Sequence, residues 1–173
     1  MKKIFLLLTV AATTFFTSCN NDDNVNNFQD NDTIAEVFEI RNVNFMGTSG
    51  YEIFYEFGQF PLYDSDMILV YRLAAVENGR DVWELLPKTV YFDNGTELDY
   101  NYDFTTQDIR IYMSGTLDLA SVPEFTQNQL FRVVIIPGFL SNRGGNSFDV
   151  NDYQSVIDFH GISDANPAQL TKK

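Results

Sequence analysis

The 173-residue chain has one cysteine and one histidine. A single cysteine forms no internal disulfide, and one cysteine with one histidine builds no Cys/His zinc cluster. Any Ser-His-Asp mechanism would have to run through His160, which stands near the end of a predicted helix, a position suited to capping or packing. No Gly-x-Gly-x-x-Gly follows a predicted strand, and no glycine-rich loop carries a phosphate-binding lysine, so the nucleotide and dinucleotide fingerprints are missing. Positive charge is scarce: 11 Lys and Arg against 24 Asp and Glu leave a formal charge of −13. Such a surface repels phosphate backbones and anionic headgroups, so nucleic acid is not an expected partner and no electrostatic grip on a bilayer is expected. No cofactor is expected either. The longest apolar stretch, Ile4 to Phe16, is interrupted by Thr9, Thr13 and Thr14 and falls short of the roughly 20 residues that span a bilayer.

That stretch has instead the length and flanks of an export signal, with Lys2 and Lys3 before it and small residues leading to Cys19. Three roles compete for Cys19. A nucleophile needs a base and an electropositive pocket, but Asn20-Asn21-Asp22-Asp23 follows it and carboxylates raise a thiol pKa. A core thiol needs a periodic apolar segment around it, and there is none. Lipid attachment is the third role. Residues 1–19 resemble a bacterial lipoprotein signal, in which a Leu-Ala/Ser-Gly/Ala-Cys box is lipidated and cut before the cysteine. Phe16-Thr17-Ser18-Cys19 departs from that box at its first two positions and matches at Ser18. The looser box and the Asn/Asp run resemble signals of the Bacteroidota, where acidic residues after the cysteine direct surface export. The resemblance implies a protein anchored to the outer membrane through lipid on Cys19, at the cell surface, with the periplasmic side as the alternative.

The expected organisation is a signal over 1–18, an acidic, disordered tether over 19–33, a folded domain over 34–160 and a loose tail over 161–173. The tether has only Val25 and Phe28 to bury and cannot fold. Asp32-Thr33-Ile34 resembles the Asp-Ser/Thr-aliphatic O-glycosylation motif of the same bacterial group, which makes Thr33 a candidate modification site; the plainer reading is the end of the tether.

From Ile34 the pattern is β. Ile53, Tyr55 and Phe57 alternate with Glu52, Phe54 and Glu56; Leu98, Tyr100, Tyr102 and Phe104 alternate with Asp99, Asn101 and Asp103. "MILVYRL" and "LFRVVII" are nearly continuous apolar runs, expected for central strands. Asn78-Gly79 and Asn94-Gly95 are hairpin signals. About eight short strands and no βα alternation predict an all-β fold: an antiparallel β-sandwich, Ig-like in architecture but without the Cys–Trp–Cys core, followed by a short C-terminal helix capped by Asp152 and stopped by Gly161.

Three chemistries remain open. Asp149, Asn151 and Asp152 cluster in "FDVNDYQ", and Asp64 and Asp66 in "YDSD"; such oxygen ligands suit calcium, although Asx residues also serve turns and caps, and neither stretch completes an EF-hand. Tyr51 with Tyr55, and Tyr100 with Tyr102, would stack on sugars if exposed, but alternation with polar residues predicts that they face inward. Carboxylate pairs such as Glu52/Glu56 and Asp99/Asp103 would suit a glycosidase only if they converged in a cleft; their spacing predicts solvated strand faces.

The segments "YDSDMILVYRL", "NGRDVWELLPKTVYFDNGTELDYNYDFT", "DIRIYMSG" and "NQLFRVVIIPG" resemble a family of small Bacteroidota lipoproteins with a Cys-terminated signal, a tether and one β domain. The likeness runs from about Glu36 to His160 and implies no activity or site residues. Some relatives bear the name dihydrolipoamide dehydrogenase, which this sequence contradicts, since a flavin disulfide reductase needs dinucleotide-binding glycines and a redox cysteine pair. The resulting expectation is a lipid-anchored, non-enzymatic binding or structural module. A carbohydrate- or calcium-binding accessory module of a surface uptake system is the alternative.

Overall fold

The computed structural model describes residues 35–58, 62–138 and 148–173. The signal, Cys19, the tether and Thr33 lie outside these residues, as does the Gly/Asn-rich stretch 141–147.

Among the described residues, ten strands form two sheets. They are β1 (Glu36–Val43), β2 (Glu52–Glu56), β3 (Met67–Glu77), β4 (Arg80–Leu85), β5 (Lys88–Tyr91), β6 (Glu97–Phe104), β7 (Asp108–Gly115), β8 (Gln129–Ile136), β9 (Ala168–Gln169) and β10 (Thr171–Lys172). Sheet A has the order β4-β3-β8-β1-β9, and sheet B the order β10-β2-β7-β6-β5. Every pairing is antiparallel except β1 with β9. The expected antiparallel sandwich with a short C-terminal helix is therefore present. The helix is α2 (Tyr153–His160); a shorter one, α1 (Pro123–Thr126), with a 3-10 turn over Leu119–Ser121, lies between β7 and β8.

The two sheets enclose one core. Phe38, Ile40, Val70, Phe131 and Val133 of sheet A meet Ile53, Tyr55, Leu98, Tyr100, Ile109 and Ile111 of sheet B. The alternation in β2 and β6 thus carries every second side chain inward, as a period of two requires. Sheet A has a second apolar layer on its outer face, where Val37, Leu69, Tyr71 and Val134 pack under Tyr153, Val156 and Ile157 of α2. This double burial explains the unbroken apolar runs of β3 and β8, which face partners on both sides. Sheet B has no such cover among the described residues, and its outer face is polar.

Local signals act where expected. Asn78 (φ 51°) and Gly79 (φ 76°) are both left-handed, the geometry of the two-residue turn whose twist matches a hairpin. Asp152 accepts a hydrogen bond from the Gln154 amide at the N-terminus of α2, and Gly161 ends the helix at φ 66°.

The end of the chain departs from expectation. Residues 161–173 are not a loose tail outside the domain. Phe38 and Glu39 of β1 pair with β9, while Tyr55 and Glu56 of β2 pair with β10. Leu170, between the two short strands, is buried in the inter-sheet core. Lys173 donates to Asp108 at 2.9 Å and lies 3.9 Å from Glu56. The last residues therefore tie the edges of both sheets together.

Candidate functional site

Among the described residues, α2 covers only part of the outer face of sheet A. Where the helix begins, a cleft of about 590 Å³ opens between three segments: the β3–β4 hairpin, the loop entering α2, and the turn at Asp164 and Ala165. Its hairpin wall follows from a register shift. Leu73 pairs with Trp83 and Ala75 with Val82, so Ala74 is an extra residue and β3 bulges beside Trp83. A bulge bends and twists its strand. The opposite wall is held by Tyr71, whose hydroxyl donates to the Val150 carbonyl at 2.7 Å, and by the Asp149–Asp152 turn.

Arg132 of β8 is the hub at the cleft's base. Its guanidinium carbon is 4.5 Å from the Trp83 ring centroid and 5.1 Å from that of Tyr153. Nη1 donates to the Tyr153 hydroxyl and to Asp164 Oδ2, each at 2.7 Å, and Nε lies 3.3 Å from Glu39 Oε2. Glu39 is almost fully buried on β1 and also pairs with Arg41. A carboxylate so placed is tolerated because guanidinium groups neutralise it. Burial works against the charged form of Arg132, but the Tyr153 phenol and the Glu39 and Asp164 carboxylates outweigh it and hold the pKa above its ordinary value. Burial, with the hydrogen bond to Asp164, pushes the Tyr153 phenol up, so this hydroxyl stays protonated and donates to Asp164 Oδ2 at 2.9 Å.

Arg80, Asp81, Asn151 and Gln154 complete the walls. The cleft thus presents an indole, an arginine cluster and amide and carboxylate groups to solvent. It brings together no nucleophile and base: the single histidine is buried at the far end of α2, with its ring centroid 5.0 Å from both Phe148 and Phe159.

Of the calcium candidates in "FDVNDYQ", Asn151 and Asp152 line this cleft, and their loop uses them locally. Asp149 Oδ1 accepts from the Asn151 backbone amide at 2.9 Å and from its side-chain amide at 3.0 Å, which holds the carboxylate below its ordinary pKa. Asp152 Oδ1 caps α2 through Gln154. No group of three or more His, Cys, Asp or Glu arranged to hold a metal ion occurs among the described residues. In the other acidic stretch, Asp66 accepts from the Tyr63 amide, closing a turn in the same way.

The tyrosine pairs face inward. Tyr55 and Tyr100 are buried, Tyr51 and Tyr102 pack against the same core, and the Tyr100 and Tyr102 hydroxyls donate to the Phe125 and Ile68 carbonyls. The carboxylate pairs stand on the outer face of sheet B, where Arg110 bridges Glu52 and Asp103, Thr89 donates to Asp99 and Lys173 reaches Glu56. The cleft residues Trp83, Arg132, Tyr153 and Asp164 were not singled out as a site from sequence. Their available signal was a charge inside each of two apolar strands: Arg132 in "LFRVVII" and Glu39 in "EVFEI". Buried charges require partners.

Comparison with protein-family models, with curated proteins and with solved structures gives no match.

Proposed function

We propose that the chain is a lipid-anchored lipoprotein of the outer membrane, attached through Cys19, which displays its β-sandwich at the cell surface as a non-enzymatic binding module. The observation that carries the binding role is the cleft on the open half of sheet A. It has a volume in the range of small-ligand sites, roughly 300–1,000 Å³, and a mixed aromatic and polar lining. Hydrogen bonds within the α2 entry loop, from Asn151 to Asp149 and from Gln154 to Asp152, order that wall before a ligand enters, which lowers the cost of binding.

A non-catalytic role is supported by the local uses of its polar groups. Asp164 and Glu39 neutralise Arg132, Asp152 caps a helix, and His160 packs against two phenylalanines. The membrane attachment rests on the sequence of residues 1–19. No helix among the described residues is long and apolar enough to cross a membrane.

Metabolic labelling with an alkynyl fatty acid, followed by membrane fractionation, tests the anchor. Wild-type protein should incorporate label and sediment with membranes, whereas Cys19→Ala should lose label and accumulate as precursor or soluble protein. Equal labelling of the variant would refute the assignment.

A further inference from the structure

The geometry points to the cleft as a binding site for a neutral glycan, stacked on Trp83 and hydrogen-bonded by the side chains of the hairpin and the α2 entry loop. This names a ligand class for the binding role proposed above and rests on it.

Charge removes the anionic ligands. Arg80 and Arg132 share the cleft lining with Asp81, Asp152 and Asp164, in a chain of formal charge −13. Arg132 is already neutralised by Glu39 and Asp164, and its Nε and Nη1 donors are committed to the protein. A phosphate or a uronic acid would enter against an unfavourable field. Composition removes lipids and apolar peptides, because Trp83 and Ala165 are the main apolar surfaces beside the Tyr153 ring, and polar groups surround them.

What remains matches a sugar ring, which has an apolar C–H face and a rim of hydroxyls. Trp83 is part-exposed and is the chain's only tryptophan. The Tyr153 centroid is 5.4 Å from it and the Arg132 guanidinium 4.5 Å, with 5.1 Å between those two. Such a near-equilateral triangle puts guanidinium and phenol on one side of the indole, so they do not sandwich it. The same contacts hold the ring in place before any ligand arrives. Aromatic faces held in this way stack on flat apolar surfaces. Around it, the Asn151 amide is oriented by Asp149 and the Gln154 amide by Asp158. Each amide can engage up to four hydrogen-bond partners, and those bonds use one hydrogen apiece. Asp81 and Arg80, on the hairpin, add an acceptor and a fork of donors.

The test uses the full-length lipoprotein in a detergent without a sugar headgroup. Because Trp83 is the only tryptophan, its fluorescence reports directly on the cleft. Neutral gluco-, galacto-, manno- and N-acetylglucosamine oligosaccharides are titrated, alongside an anionic oligosaccharide, a polyamine and a peptide mixture. A saturable change with at least one neutral oligosaccharide is expected. Calorimetry should then show binding weakened by about tenfold in Trp83→Ala, partly restored in Trp83→Phe, weakened several-fold in Gln154→Ala, and unchanged in Phe54→Ala, on the opposite sheet. Gln154→Ala alters an exposed side chain on the helix and keeps the test available if Trp83→Ala unfolds. If only the anionic, cationic or peptide probes act on Trp83, the glycan class is wrong and the binding role stands. If none of the probes does, both fail.

Discussion

Sheets A and B contribute about equally to one core, yet they meet their surroundings differently. The outer face of sheet B is water-facing: Glu52, Phe54 and Glu56 of β2 lie beside Asp108, Arg110 and Tyr112 of β7, and the charges pair across strands. The outer face of sheet A is divided. One half is sealed by α2, and the other is open at Trp83 and Arg132. A sheet with one wet face can accept almost any polar side chain there. A sheet covered on both faces must satisfy each polar group it contains, and the networks around buried charges, Glu39 and Arg72, lie in sheet A. Glu39 and Arg132 form one of them at the cleft. Arg72 forms another on the inner face, where its Nε donates to Gln129 at 2.8 Å and its guanidinium lies 4.6 Å from the Tyr100 ring.

The comparison can be broken most severely at the shared core. Phe131 is fully buried and packs edge-on against Phe45 and Tyr100. Phe131→Ala should cost about 3–5 kcal/mol, read as a lowered midpoint in urea denaturation. A loss below about 1 kcal/mol would mean that the two sheets do not close on each other as described.

High pH should act on the interior rather than on the wet face. Burial raises the phenols of Tyr71 and Tyr153 between sheet A and α2, and that of Tyr100 between the sheets to about 12, from ordinary values of 10.0. In the unfolded chain they ionise first, so rising pH stabilises that state relative to the folded one. Stability contributed below pH 10 should be lost between pH 10 and 12. Circular dichroism and tyrosinate absorbance should change together, with unfolding beginning near the lower limit. Ionisation of all the tyrosines without unfolding would contradict their burial.

A smaller effect sharpens the contrast within sheet A. Asp152→Ala removes the α2 cap and should cost about 1 kcal/mol, in the range 0.5–2. Hydrogen exchange should quicken in the first turn of α2 while β6 and β7 stay protected. Uniform loss of protection would show that the helix is integral to the sandwich rather than a cover on one of its faces. The smallest change is expected from Phe54→Thr on the wet face, within about 0.5 kcal/mol of wild type by the same urea titration; a larger loss would point to a covering partner on sheet B.

How much of this was legible in the sequence depended on the range of the interaction. The alternation in β2 and β6, the left-handed pair Asn78-Gly79, the Asp152 cap and the Gly161 stop are set by residues at most a few positions apart, and all appear where expected. The short strands β9 and β10 carry no such signal. Ala168-Gln169 and Thr171-Lys172 are each two residues long, and neither displays a period. Their conformation comes from edge strands that were formed by residues about 115 to 130 positions earlier, a separation that only pairing bridges.

The sequence by itself determined the β class, the turns, the capped helix, the acidic surface and the poverty of catalytic groups. Each depends on composition or on steric preferences a few residues wide. Tertiary structure decided which apolar strands are covered twice, where the end of the chain goes, and that Trp83, Arg132, Tyr153 and Asp164 meet. Those four come from separate segments, and their contact exists because two sheets and a helix must pack their apolar faces together. Spacing along the chain does not encode the distance left between them once they have.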